Sequence, residues 1–236
     1  MSADAVIKLL LGYVDQLVQL ITGPRDYLRE RAAEAEKALT GALTFLLFSI
    51  VIAFILRLPF GLGEGDVWRQ LPIMLIFYTL TAGLLGGLAC LAMRVVGGKA
   101  PLAGHLVVFS YFAGVSVIVF TLATVIAKAV IRAGDAEVAG LQEEYVAAVL
   151  SGSSDADDPR FEGLADTTEV SYAMLTLLLA LVLLAVWLIV CWRAMADINA
   201  LTRLRGYLAL GLFLVAGYAV ASLAGMVQLG AGLTLF

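Results

Sequence analysis

Charged residues are scarce in this 236-residue chain: they make up 14% of it, whereas soluble globular domains have about 25%. Hydrophobic residues reach 62%, and the mean hydropathy is +0.98. A soluble domain has nowhere to bury that much apolar surface. The composition therefore excludes a soluble globular protein and predicts one membrane domain.

Cysteine and histidine are rarer still. The two cysteines, Cys90 and Cys191, lie inside apolar runs, so no extracellular disulfide framework is predicted. The single histidine, His105, could join them as a ligand of a soft metal, but the three residues form no CxxC or HxxH spacing. We therefore predict no metal and no other cofactor. His105 is interpreted as a residue at a helix start, and the cysteines as small packing residues.

Ionisable residues are absent from the middle of every long apolar run. Proton relays and ion pathways use ionisable groups at that depth, so this absence argues against a proton-coupled transporter. The chain also lacks a nucleophile elbow, a phosphate loop and a dinucleotide fingerprint, so it is predicted not to be an enzyme. Because its basic residues are scattered at the edges of the apolar runs, nucleic-acid binding is not predicted either.

Five apolar runs are long enough to cross ~30 Å of hydrocarbon at ~1.5 Å per residue. They predict an all-α, polytopic integral membrane protein with five transmembrane helices, at residues 39–58, 71–96, 105–125, 172–192 and 207–229. Only the turn GGKAPLAG joins the second run to the third, so these two helices are predicted to form an antiparallel hairpin. Gly97 and Gly98 supply its left-handed cap, and Pro101 precedes the next helix.

Two polar segments flank these runs. Residues 1–37 are predicted to be a cytoplasmic, charged segment ahead of the five-helix domain at 38–236. Within it, residues 5–22 predict an amphipathic helix that lies in the membrane interface or packs on the bundle. Its apolar face comprises Val6, Leu9, Leu10, Tyr13, Leu17, Leu20 and Ile21, and its polar face comprises Lys8, Gly12, Asp15, Gln16 and Gln19.

The second polar segment is an acidic connection at residues 133–170, which carries ten carboxylates. We expect a short helix at 136–150 and otherwise a solvated loop. The alternative is a docking surface for a basic partner. The spacing of its acidic residues does not match a calcium-binding loop.

The distribution of Lys and Arg predicts the orientation. Ten of the fifteen lie on the side that holds the N-terminal segment, the hairpin turn and the last connection. By the positive-inside rule this side is cytoplasmic, so the acidic connection and the C-terminus are external. The preference for Arg over Lys and the abundance of Ala, Leu and Gly indicate a bacterial protein, and hence the inner membrane.

Small residues mark two helix faces. Gly83 and Gly87 form a GxxxG spacing on the second run, and Gly217 belongs to a similar face on the fifth. Such faces allow close helix approach, which we expect mainly within this chain and alternatively with a partner. On the third run, Ser110, Gly114, Thr121, Thr124 and Lys128 share a face. Hydroxyls there can bond their own helix backbone, or they can line a polar path.

The hairpin also resembles a known signature. The stretch RVVGGKAPLAGHLVVFSYFAG is similar to that of the Yip family, the Ypt/Rab-interacting five-span membrane proteins and their bacterial relatives. The matching positions are Gly97, Gly98, Lys99, Tyr111 and Ala113, with Phe112 interposed, and GPRDYL resembles the lead-in of bacterial members. Gly114 and Val115 replace a proline that often follows the Tyr-Ala pair, and the acidic connection is an insertion. The resemblance implies a five-span fold and a role in organising membranes.

Together these observations predict a non-enzymatic membrane protein that binds or organises other membrane proteins or lipid, as an accessory or assembly subunit. Its expected partners are the lipid bilayer and either a membrane protein or a second copy. The residues predicted to make packing or partner contacts are Gly83, Gly87, Gly97, Gly98, Tyr111, Gly114 and Gly217. The alternatives are a transporter or channel component with a path along the third run, and a lipid-handling enzyme that contacts headgroups through Lys99 and His105.

Overall fold

The computed structural model describes residues 3–60, 67–134, 140–141, 144–145, 161, 164 and 167–231. Within these ranges the regular structure is helical, which confirms the predicted all-α class. Seven α-helices are assigned there: α1 (Ala3–Thr22), α2 (Pro24–Ala33), α3 (Ala35–Arg57), α4 (Val67–Val95), α5 (Leu102–Ala133), α6 (Thr168–Ile198) and α7 (Arg203–Ala231). A 3-10 turn, Leu58–Phe60, follows α3.

Five of these helices are long and apolar enough to cross a membrane, which confirms the five predicted spans. The candidate spans are Ala35–Arg57, Arg69–Val95, Leu102–Ala133, Thr168–Ile198 and Arg203–Val220. The helices α5 and α6 continue beyond the apolar runs at both ends, because hydropathy marks the part of a helix that crosses hydrocarbon and not the turns that continue outside it. The chain is therefore an integral, polytopic helical membrane protein.

The helix α5 lies at the centre of the bundle. It contacts α2, α3, α4 and α6, and its most apolar stretch is 56% buried, against 11% for that of α6. Buried small residues on α5, including Ala113, Gly114 and Ala123, let the surrounding helices approach its backbone. Most of the buried polar contacts described below involve α5 for this reason.

The predicted hairpin is confirmed: α4 and α5 pack against each other across the short turn that joins them. Gly86 on α4 is buried at this contact, and a Cβ added there would lie 2.9 Å from Leu106 Cδ2. The added Cβ would also lie 3.4 Å from Leu106 Cα, so α4 lies close to the α5 backbone at this glycine.

The predicted N-terminal helix is present as α1. Its apolar residues are divided between a buried face and an exposed face, whereas the sequence predicts a single apolar face opposite the polar one. Tyr13 and Leu20 are buried on the bundle, whereas a second apolar face is exposed and includes Ile7, Leu11, Val14, Val18 and Ile21. Gln16, assigned to the polar face, instead turns inward to the Tyr111 hydroxyl. That assignment was wrong because periodicity separates polar from apolar residues but does not reveal a buried hydrogen-bonding partner.

The helix α2 closes one end of the bundle. Its residues Tyr27, Leu28 and Ala32 are buried, and it contacts both α5 and α6. The chain bends at Glu34, between α2 and α3, with φ −100° and ψ 37°. Residues 1–37, which the sequence analysis separates from the membrane domain, therefore include part of its packed core.

The acidic connection lies largely outside the described residues. Most of the helix predicted at 136–150 also lies outside the described residues, and so do eight of the ten acidic residues. Among the described positions of this connection, the rings of Tyr145 and Phe161 meet edge to face with centroids 5.3 Å apart.

Candidate functional site

The hairpin turn begins with a Schellman motif at the end of α4. The Gly98 N–H donates to the Met93 carbonyl at 2.8 Å and the Gly97 N–H to the Arg94 carbonyl at 3.0 Å. Gly97 has φ +99°, in the region that favours glycine. A Cβ added to Gly98 would lie 2.5 Å from Asn199 Oδ1, so Gly98 gives the Asn199 side chain access to the turn.

Asn199, at the end of α6, holds this turn in place. Its Oδ1 accepts the Ala100 N–H at 3.0 Å, while its Nδ2 donates to the Met195 carbonyl at 2.8 Å and lies 3.1 Å from His105 Nε2. His105 Nδ1 lies 3.0 Å from the Pro101 carbonyl. These partners fit a neutral imidazole with its proton on Nδ1. The two ends of the turn are thus joined to α6 by one buried amide.

The same end of α6 is bound to α2. Arg25 donates from Nε to Asp197 Oδ2 at 2.8 Å and from its terminal NH2 to Oδ1 at 2.9 Å. These hydrogen bonds and the charge of Asp197 raise the pKa of Arg25 above its usual value. A bidentate pair fixes orientation as well as distance, so α2, α6 and the hairpin turn form one connected cluster.

A second polar cluster surrounds Tyr111 on α5, which is 1% exposed. The Tyr111 hydroxyl donates to Gln16 Oε1 at 2.9 Å and lies 3.1 Å from the Tyr27 hydroxyl, which is then the donor in that contact. The Tyr27 and Phe45 rings lie 5.5 Å and 5.1 Å from its own. This one residue therefore connects α1, α2 and α3 to the central helix.

Tyr13 and Ser49 form the neighbouring part of that cluster. Ser49 Oγ donates to the Phe45 carbonyl at 2.9 Å, and the Tyr13 hydroxyl lies 3.2 Å from Ser49 Oγ. Burial raises the pKa of the Tyr13 hydroxyl, which keeps its proton for this hydrogen bond. Gly114 allows Phe45 to lie against α5, because a Cβ there would be 2.7 Å from Phe45 Cε1.

The predicted contact residues fall into three places. Tyr111 and Gly114 meet at the α3–α5 contact, and Gly97 and Gly98 form the hairpin turn. Gly83, Gly87 and Gly217 face open space: across the described part of the chain, a Cβ added to any of them meets nothing within 4 Å. Gly86, which lies between Gly83 and Gly87 in the sequence, makes the close contact with α5 instead, and packing of the Gly83–Gly87 face within this chain stays a prediction.

Some hydroxyl side chains of α5 hydrogen-bond to their own helix backbone, and others have no partner in the described structure. Ser110 Oγ donates to the Leu106 carbonyl at 2.8 Å and Thr124 Oγ1 to the Thr121 carbonyl at 2.9 Å, as the backbone-bonding interpretation predicts. Thr121 is fully buried, and its hydroxyl has no hydrogen-bond partner among the described residues; nor has that of Ser116. Lys128, in contrast, is exposed.

Cys90 and Cys191 are both buried free thiols. In the described ranges, no three His, Cys, Asp or Glu residues come together as a possible metal site. His105 is occupied by Asn199 and Pro101, as described above.

Sequence reasoning missed Asn199, Gln16 and Ser49 as buried partners. Asn199 carried one usable signal, since Asn side chains often hydrogen-bond to backbone groups at helix caps and turns. The segment RAMADINALTRLRG, however, did not reveal that this amide reaches Ala100 and His105, far away in the sequence.

The fold and these clusters define a class: a polytopic helical membrane protein whose helices are joined by buried hydrogen bonds and an ion pair. No family model, curated protein or solved structure matches the chain. The resemblance to the Yip family accordingly stays a prediction.

Proposed function

We propose that this protein is a non-enzymatic accessory or assembly subunit that binds another membrane protein, or a second copy of itself, inside the bilayer. The proposed contact is the open face of α4 around Gly83 and Gly87. The resemblance to the Yip family supports the same kind of role. The Lys and Arg distribution supports a cytoplasmic N-terminus and an external C-terminus, and the bacterial-type composition supports the inner membrane.

The observation that carries the proposal is the contrast between adjacent glycines on α4. Gly86 is buried against Leu106, whereas added Cβ atoms at Gly83 and Gly87 meet nothing within 4 Å among the described residues. Glycine inside a helix costs about 1 kcal/mol relative to alanine. Since no described atom fills the space beside these two glycines, close approach of a helix from another chain gives them a physical role.

The surroundings of the two glycines support a contact within the membrane. The apolar side chains Ile76, Leu80, Leu84 and Leu91 on α4 are exposed. Only 28% of the most apolar stretch of this span is buried. A partner helix would therefore find small residues for close backbone approach and larger ones for contact at the edges.

The test is a tagged pull-down from native membranes in mild detergent, comparing the wild type with Gly83→Leu and Gly87→Leu. Gly211→Leu on α7 is the matched control, because Gly211 also faces open space. We expect a near-stoichiometric partner or second copy with the wild type and the control, and its loss with either α4 variant. Equal recovery with all four proteins would refute a partner contact at this face.

One observation favours a second candidate, a transporter or channel component with a polar path along α5. The buried hydroxyls of Thr121 and Ser116 have no hydrogen-bond partner among the described residues, and water or a solute can hydrogen-bond to such hydroxyls. The test replaces Cys90 and Cys191 with alanine and then places cysteine at Thr121 or Thr124. Labelling by a water-soluble thiol reagent supports the path, and unreactive cysteines contradict it.

A further inference from the structure

A polar cavity of about 300 Å³ lies between α1, α2 and the first turns of α3. Its lining includes Glu30, Arg31, Glu34 and Lys37, with the Tyr27 ring and Gln19 beside them. This volume is at the lower end of the range for small-molecule sites. The cavity is separate from the α4 face proposed for partner contact.

Side chains of both charge signs line the cavity, and the Arg31 guanidinium lies over the Tyr27 ring, with Cζ 5.2 Å from the ring centroid. The structure pairs Arg25 with Asp197 and Arg29 with Asp26, but it shows no ion pair for Glu30, Arg31, Glu34 or Lys37 among the described residues. On a continuous helix, oppositely charged side chains three residues apart would be neighbours. The bend at Glu34 separates Glu30 and Arg31 on α2 from Lys37 on α3, and all four side chains line the cavity.

The cavity lies at the membrane boundary. The first candidate span begins at Ala35, so Lys37 occupies its first turn and Glu34 immediately precedes it. On the other side, α1 contributes Gln19 to the lining, while Val18 and Ile21 belong to its exposed apolar face. A ligand with a charged head and a hydrocarbon chain would contact both surfaces.

We propose that this cavity binds the headgroup of a phosphatidylethanolamine-type lipid. The phosphate accepts hydrogen bonds from Arg31 and Lys37, and the primary ammonium donates to Glu30 and Glu34. A choline headgroup has no N–H to donate, and an anionic glycerol headgroup leaves the two carboxylates without a cationic partner. The exposed apolar face of α1 is the surface along which the acyl chain lies.

The test uses the full-length protein, delipidated in detergent, and measures Kd and thermal stabilisation with short-chain phosphatidylethanolamine, phosphatidylcholine and phosphatidylglycerol. We expect phosphatidylethanolamine to bind about tenfold more tightly than either competitor, because each loses at least one charge-assisted contact. Equal Kd values for the three lipids overturn the proposal. Glycerophosphoethanolamine, which has no acyl chain, is the fourth ligand, and binding as tight as that of the lipid would overturn the membrane source.

Three variants assign the contacts. Arg31→Gln with Lys37→Gln should weaken phosphatidylethanolamine binding at least about tenfold, and Glu30→Gln with Glu34→Gln should abolish the preference over phosphatidylcholine. Arg29→Gln is the matched control on α2, since Arg29 is exposed and pairs with Asp26 at 3.1 Å. Wild-type Kd values in both double variants would overturn the proposal. Partner recovery through Gly83 and Gly87 is a separate readout, so either proposal can fail alone.

Discussion

At the scale of single residues, the buried amide of Asn199 is the most consequential side chain. It is 5% exposed and hydrogen-bonds an N–H of the hairpin turn, a carbonyl of its own helix and the His105 ring. Buried polar groups that lose their partners retain the full cost of desolvation. The stability of the turn therefore depends on this one residue more than on any exposed charge nearby.

We expect Asn199→Ala to lower the free energy of unfolding by about 2–3 kcal/mol, because the Ala100 N–H and His105 Nε2 lose their partner in a buried site. Unfolding in mixed detergent–SDS micelles measures the change. Arg203→Gln, at an exposed position just beyond, is the control and should have little effect. If the free energy of unfolding of Asn199→Ala equals that of the wild type, water replaces the hydrogen bonds of the amide and the expectation is wrong.

Ala200, the next residue, has φ +51°, in the left-handed region that suits glycine. It ends α6 with a Schellman motif, in which the Leu201 N–H donates to the Ala196 carbonyl at 3.0 Å. We expect Ala200→Gly to raise the free energy of unfolding by about 0.5–1 kcal/mol through relief of this backbone cost. Ala196→Gly, inside the helix, should lower it in the same assay. A decrease for both variants would contradict this explanation.

At the scale of helices, the contact between α3 and α5 depends on a glycine opposite an aromatic ring. Phe45 lies against Gly114, and it stacks on Tyr13 with ring centroids 4.9 Å apart. Any side chain at Gly114 must therefore displace a ring that is already held on its other face. This explains why a glycine is needed at this position.

Gly114→Ala should cost about 1–3 kcal/mol of unfolding free energy, because the added Cβ overpacks Phe45 and Ser49. Combining it with Phe45→Leu should recover part of the loss, giving a coupling energy that differs from zero in a double-mutant cycle. Gly41→Ala on α3 is the control, since its Cβ meets nothing within 4 Å in the described structure. Additive effects of Gly114→Ala and Phe45→Leu would exclude the proposed steric contact.

At the scale of the whole molecule, polar contacts between helices form two clusters, one around Asn199 and Arg25 and one around Tyr111, whereas α6 and α7 expose long apolar surfaces. The most apolar stretches of these two spans are only 11% and 17% buried. Such surfaces suit lipid or helices of another chain. The molecule therefore combines helices that are joined by polar contacts with a side of exposed apolar surface on α6 and α7.

The orientation is testable on the whole chain. Ten of the fifteen Lys and Arg residues lie on the side of the N-terminal segment and the hairpin turn, so we expect that side to be cytoplasmic. In a bacterial host, alkaline phosphatase fused after residue 236 should be active and green fluorescent protein there should be dark. Fusions that end at Lys99 should give the opposite result, and the same readout at both sites would contradict the five-span orientation.

The sequence by itself determined the membrane class, the five spans, the α4–α5 hairpin and the glycine cap at Gly97. These features follow from hydropathy, helix length and backbone conformation, which are local properties. It also identified Tyr111 and Gly114 as contact residues, although not what they contact. Their partners, Gln16, Tyr27 and Phe45, come from helices distant in the sequence.

Only the tertiary structure decided which small-residue faces are filled and which stay open. Gly83, Gly86 and Gly87 follow one another within a little over one helical turn, yet only Gly86 meets Leu106, because helix rotation selects the face toward α5. The tertiary structure likewise brought Asn199 to the hairpin turn and turned Gln16 inward. Such contacts depend on how helices cross in space, and no local pattern along the chain contains that information.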